Sequence, residues 1–412
     1  MRFSVHSRWF MAVASVMLAG SFVQAQNLVP MPTIARGQEY LPEDPVVWLP
    51  LGHDRMDSTG GFYTFGQFLL FTTNRPLGEQ TVAFRGFVDS LGLFSGLPGL
   101  YVGSGVEALN TRDLGRQTFA PGYEVGLGYR LRNGTAIYLS YWHIFDFRYD
   151  AHATLVPPFF RSATDLSDTY LVSGVFNFPI EYSGPLNDVP GLPPGSTYGI
   201  WNAAEAMDIT FTQRYDQVEF GARIPGACFQ IPGYESNNGY VRSYSLAGGR
   251  FAWFWERFRW RTVDYDVTGA ASKLDQAYYS NIISNRMYGP FIGCGIETYL
   301  GGGLSLSGEF TGAALLNIAK QRAKYQRADD RTQSKRARTD YTLVPELGGN
   351  INLTWAPIEA VQMRIGYNFL GFFNTLTSRE PIDFNFGGID PPYERSIFRY
   401  LHGLNVGIGL TF

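Results

Sequence analysis

The 412-residue chain is short of the side chains that carry most enzyme chemistry: it has two cysteines, five histidines and only 17% charged residues. Two cysteines exclude a disulfide scaffold, and no HExxH motif or spaced Cys/His cluster offers a zinc site. No metal and no cofactor is expected. There is no GxSxG elbow and no Walker loop, and Gly301, Gly302 and Gly303 lie between strand-like segments rather than before a helix. No catalytic residue is expected either. Lys+Arg 33 against Asp+Glu 36 leaves no basic excess to neutralise a phosphate backbone, which argues against nucleic acid as a partner. Past the N-terminus no run of 18 apolar residues occurs, so no helix is expected to cross a bilayer.

What is present is a 16% aromatic content with 47 Gly and 23 Pro, incompatible with a disordered or coiled-coil chain. Residues 1–25 read as a secretory signal peptide: Arg2, His6 and Arg8 precede the apolar stretch Trp9 to Val23, and Ala25 offers a small residue before cleavage. Residues 26–61 read as a periplasmic or poorly ordered segment, and 62–412 as one β-structure.

That β-structure is announced by apolar residues at every second position. Tyr123, Val125, Leu127, Tyr129 and Leu131 alternate with Glu124, Gly126, Gly128, Arg130 and Arg132. Leu304 to Ile318, Leu347 to Trp355 and Val361 to Phe369 repeat the pattern. Leu131-Arg132-Asn133-Gly134-Thr135 suits a three-residue hairpin with Gly134 left-handed, pairing Tyr129 with Ile137, after which Leu139, Tyr141, Phe145 and Phe147 continue the apolar face. Tight turns are also expected at Tyr215-Asp216, Glu256-Arg257, Gly301 to Gly303 and Ala356 to Glu359, with long connections near 74–120, 150–203, 227–240, 268–284, 319–341 and 375–396.

This gives about twelve strands (range 10–14) in which short and long connections alternate. The expected fold is all-β, a transmembrane antiparallel barrel with short periplasmic turns and long outer loops, because hydrocarbon offers no partner to an open sheet edge. The strand near 204–224 is expected to break at Tyr215-Asp216, and the aromatic run Phe251 to Trp260 to turn within an interfacial girdle.

Inside such a barrel, Glu124, Arg130, Asp208, Glu219, Arg223, Glu309, Glu346 and Arg364 are expected to line the lumen, while Gly126, Gly128, Gly407 and Gly409 leave room. His143 and His402 take the lipid-facing parity near strand ends. Cys228, placed in an outer loop, and Cys294, placed mid-strand, are expected to stay free. The segment from Lys320 to Arg338 carries eight basic and two acidic side chains, a charged outer loop that either contacts anionic headgroups or draws anions to a pore. The final strand ends Leu404, Val406, Ile408, Leu410, Phe412, with a terminal aromatic of the kind that barrel-insertion machinery recognises.

Trp201-Asn202-Ala203-Ala204-Glu205-Ala206, Asp208 to Tyr215, Phe220-Gly221-Ala222-Arg223 and Gly289-Pro290-Phe291-Ile292-Gly293 resemble spaced segments of the Legionella-type pore-forming major outer-membrane proteins and related planctomycete β-barrel porins. The resemblance spans roughly 62–412 and implies a pore-forming barrel in the outer membrane of a Gram-negative-type bacterium, without any ligand residue. The expected function is passive passage of small solutes or ions, with membrane lipid and the insertion machinery as partners and a homo-oligomer open. The alternatives are a barrel enzyme of phospholipase or protease type, and a structural or adhesive barrel with a closed lumen.

Overall fold

A computed structural model describes residues 47–49, 52–54, 61–89, 91–93, 95–154, 169–177, 186–187, 197–230, 240–264, 271–330, 333–358 and 360–412. The signal peptide expected at 1–25, and most of the segment expected at 26–61, lie outside these residues.

Ten antiparallel strands close on themselves. They are β1 (Gly61–Thr73), β2 (Ala120–Arg130), β3 (Ala136–Thr154), β4 (Ala206–Gln230), β5 (Tyr240–Val263), β6 (Gln276–Gly301), β7 (Leu304–Arg327), β8 (Gln333–Ile358), β9 (Val361–Thr377) and β10 (Glu394–Thr411). Each pairs with its sequence neighbour, and β10 returns to β1 in a register running from Leu401 opposite Thr73 to Thr411 opposite Tyr63. Closure removes the edge that a bilayer would leave unbonded.

The count is ten rather than twelve because two expected turns do not exist. Tyr215-Asp216 lies inside β4 and Glu256-Arg257 inside β5, and their register runs on unbroken, Tyr215 opposite Phe254 and Gln213 opposite Glu256. A tilted strand crosses a bilayer in about 9–11 residues, whereas β4 to β8 have 24 to 26. These five strands overshoot the membrane by several turns of the pleat. The 319–341 segment is therefore no loop: β7 runs to Arg327 and β8 starts at Gln333. Merging the strands also moves Cys228 from the expected outer loop to the short-turn end of β4, where it and Cys294 are free and exposed.

Connection length sorts by side only in part, since 231–239 at the short-turn end is longer than 328–332 at the other. At one end lie the turns at 131–135, 302–303 and 359–360 and the connection 231–239; at the other lie 74–119, 155–205, 264–275, 328–332 and 378–393. The first turn has the expected geometry: Leu131 N–H donates to Thr135 O at 2.8 Å, Gly134 has φ +81°, and Tyr129 faces Ile137. Outward positions form an apolar band. Phe62, Val125, Leu127, Phe220, Ile292, Ile296, Leu316, Ile351, Ile365, Leu404, Val406, Ile408, Leu410 and Phe412 are all exposed, as lipid contact requires.

The expected face of β3 fails at one point. Two residues, Phe145 and Asp146, oppose Arg214 of β4 in a bulge, so parity flips and Phe147 turns inward and is buried. Above the bulge the outward side chains are Asp146, Arg148, Asp150 and His152, all exposed. This marks where the apolar band stops.

Candidate functional site: the barrel interior

The interior divides into two layers. At the long-loop end, connecting segments fold inward. The helical turn Gly199–Asn202 delivers Trp201, which is fully buried against Trp260 of β5 (ring centroids 4.4 Å) and Phe386 of the β9–β10 connection (5.2 Å). Its indole N–H donates to the Tyr325 hydroxyl of β7 at 3.1 Å. Leu171, Val82, Ala83, Ile382 and Ile389 pack into the same core with Met207, Ile209 and Phe258 of the wall. A short strand within the 74–119 connection joins this plug instead of the barrel: Thr81–Arg85 pairs with Glu107–Asn110 and Leu171–Val172. The Tyr279 hydroxyl and the Asn281 amide of β6 both donate to Pro381 O at 3.1 Å, tying the plug to the wall.

Below the plug the interior is polar. Inward positions at this level alternate with the apolar band, so any charge they carry must be paired or wetted. Arg250 of β5, buried, lies 2.6 Å from Glu219 and also binds Glu346; the Tyr138 hydroxyl donates to Glu219 at 2.6 Å. Arg223 lies 3.3 Å from Glu297 and stacks over the Tyr244 ring, 3.4 Å to the centroid. The Tyr244 hydroxyl and the Asn350 amide donate to Glu309 at 2.8 and 2.6 Å. Gln67 donates to Glu124 at 2.9 Å. A cavity remains between these groups, lined among others by Tyr63, Gln67, Glu124, Tyr138, Glu309 and Arg364.

Seven of the eight expected lining residues point inward: Glu124, Arg130, Glu219, Arg223, Glu309, Glu346 and Arg364. Asp208 does not. Its neighbours Met207 and Ile209 are buried inward, so it projects from the outer wall above the apolar band, 3.3 Å from Arg261. Counting parity from Glu219 through Asp216 places it there. The room expected at Gly126 and Gly128 is taken by the rings of Phe65 and Tyr63, which lie against those two glycines.

Several interior residues escaped the sequence reading. Arg250 and Glu256 sit on β5, where an assumed turn hid the parity that points both inward. Arg399 of β10 is fully buried with its guanidinium on Glu256, Nη2 to Oε2 2.7 Å, and Gln213 and Thr377 complete the set at 2.8 and 3.1 Å. His143 keeps its outward face but is engaged by Asp216 at 2.7 Å, beside the Tyr141 hydroxyl on the same carboxylate (2.8 Å). Among the described residues no cluster of His, Cys, Asp and Glu is arranged to hold a metal ion.

No protein-family model matches the chain, and no curated protein matches it in sequence. Among solved structures it is similar to the outer membrane protease OmpT from Escherichia coli at 8% identity over 87% of this chain and 100% of that one, with a TM-score of 0.41. A FadL homologue of Pseudomonas aeruginosa aligns at 9% identity over 86% and 90% with TM-score 0.21, and an anion-selective porin from Comamonas acidovorans at 10% over 86% and 99% with TM-score 0.14. The architecture of this chain stands on its own register of ten closed strands.

Proposed function

We propose that the protein is an outer-membrane barrel that passes small solutes or ions through its polar lower lumen once the aromatic plug is displaced. The observation that supports this reading is the contrast between the two interior layers. A barrel needed only as a wall gains nothing from buried ion pairs over well-packed apolar side chains, yet Glu124, Glu219, Arg250, Glu309 and Arg364 line a cavity below a core that is apolar, and Arg250 is paired there with Glu219 and Glu346. The long connections face outward from the cell and the short turns the periplasm, the arrangement usual for such barrels. The Leu404 to Phe412 face would carry the insertion signal, and kinship with Legionella-type pore formers belongs to the same reading.

A planar bilayer tests it. The wild type should give infrequent discrete steps, and Trp201→Ala with Phe386→Ala, which empties the plug, should raise open time severalfold. Arg364→Glu should then shift ion selectivity toward cations. Silence from both proteins would leave the closed structural barrel, a reading that the paired interior also supports. Hydrolysis of phospholipid or peptide by the purified barrel would replace transport with a barrel enzyme.

A further inference from the structure

Above the apolar band the outer wall is not uniform. On β3 and β4 the outward charges are matched, Arg148 with Asp150 at 2.9 Å and Arg214 with Asp146 at 2.8 Å. On β5 to β8 they are not. Arg257, Arg259, Arg286, Lys320, Arg322, Lys324 and Lys335 all stand on outward parity, next to buried inward neighbours such as Phe258, Met287, Gln321 and Tyr325. The outward positions of β6, β7 and β8 at this height carry no carboxylate. The one carboxylate at the margin, Asp208, is taken by Arg261. None of the seven cations has an acidic partner among the described residues.

Register makes this a single patch. Arg259 faces Ser280, Ser280 faces Lys324, and Lys324 faces Lys335, so one row crosses four strands, roughly 14 Å at the usual strand spacing. Arg322 lies one step lower, opposite Ile282, and Lys320 another step lower, opposite Ser284. Like charges directly opposed across two strands destabilise a sheet, and Lys324 and Lys335 are held in that position by the β7–β8 register with no carboxylate among the described residues paired to either. The patch also sits at a defined height. Arg286 lies over Trp253 (5.6 Å), Arg257 over Trp255 (5.4 Å) and Arg259 over Tyr278 (4.3 Å), rings of the kind that settle at headgroup level.

We infer that the outer wall of β5 to β8 is a binding surface for phosphate-bearing lipid headgroups in the leaflet at the long-loop end. Acyl chains would lie on the apolar band below, on Leu316, Tyr341 and Leu343, which are exposed, while the headgroup phosphates bridge the rows of cations above. One phosphate between Lys324 and Lys335 converts a repulsive pair into a clamp.

The test uses the full-length barrel in zwitterionic detergent, with diphosphorylated lipid A as the probe, followed by native mass spectrometry and thermal melting. The wild type should retain lipid A and melt at higher temperature with it. Arg259→Gln, Lys324→Gln and Lys335→Gln together should weaken retention roughly a hundredfold, since each cation near an anionic lipid surface contributes about a fivefold factor. In lipid-free detergent the same variant should melt no lower than the wild type, because a repulsive pair has been removed; this separates lost binding from lost folding. Neutralising Arg116, Arg132 and Arg379, exposed and outside β5 to β8 and their connections, changes net charge equally and should leave retention within about twofold of wild type. Equal losses in both variants, retention that survives the β5–β8 changes, or equal stabilisation by inorganic phosphate would each overturn the assignment.

Discussion

Arg250 shows what a single interior side chain contributes. Its guanidinium is buried between Glu219 and Glu346, two carboxylates from strands β4 and β8 that would otherwise repel. Arg250→Ala leaves both acids without their cation, and breaking a buried pair of this kind costs about 3–5 kcal/mol. Urea unfolding of the refolded barrel should show that loss, while Glu346→Gln, which keeps shape and one acceptor, should lose less. A loss below about 1 kcal/mol for Arg250→Ala would mean that water already reaches the site. Outside the membrane the plug holds a carboxylate of another character. Hydrogen bonds from Thr81 and Asn110, with Arg112 adding to them, hold Glu107 below the usual carboxylate range. Its folded value lies beneath its unfolded one, so its contribution to the plug is full at neutral pH and is lost as the pH falls through the folded value. Glu107→Gln should therefore open the 74–119 connection to protease at pH 7 but differ little from wild type once the pH is below the folded value of Glu107, where both carry a neutral side chain.

At the scale of elements, the β2–β3 hairpin is fixed by one conformation. Gly134 sits at φ +81° with Pro225 close to where a side chain would start. Gly134→Val forces a β-branched residue into the left-handed region, which costs roughly 1–2 kcal/mol, and should slow refolding into detergent micelles, read by heat-shifted gel migration. Unchanged refolding would show that this turn forms after the rate-limiting step. The same hairpin shows what the sequence could reveal. Strict alternation in β2, β7, β8 and β10 put Glu124, Glu309, Glu346 and the Leu404 to Phe412 face on their correct sides, because one wall meets lipid and the other does not. The β3 bulge was invisible: Phe145-Asp146 reads as alternation until the two-to-one pairing with Arg214 is seen, and Phe147 was lost with it. In β5 aromatics occupy both faces, Phe251, Trp253 and Trp255 outward and Phe254, Phe258 and Trp260 inward, so no period remained to distinguish a turn from a strand. Inward folding of the connections left no local signal, since Trp201 and Phe386 meet across 185 residues of sequence.

For the whole molecule the bilayer acts as a second solvent whose boundaries are written on the wall. The band runs upward to the rings of Trp253, Trp255 and Tyr341, and beyond it β4 to β8 continue as a collar bearing Arg257, Arg259, Lys320, Arg322 and Lys324 outward. Height alone should therefore decide what an added charge costs. Ile292 of β6 is exposed outward near the middle of the band, and Thr339 of β8 is exposed outward opposite Lys320, above it. An arginine on the lipid face of a barrel costs about 2–4 kcal/mol at the midplane and about 0–1 kcal/mol near the interface. Ile292→Arg should lower the unfolding free energy in phospholipid vesicles by the larger amount and Thr339→Arg by the smaller. In a thick detergent micelle, which can rearrange around a charge, the gap between them should narrow. Equal costs at the two heights in vesicles would mean that the bilayer does not sit where the apolar band and the aromatic rings place it, and the separation of an oily wall from a charged collar would lose its physical basis.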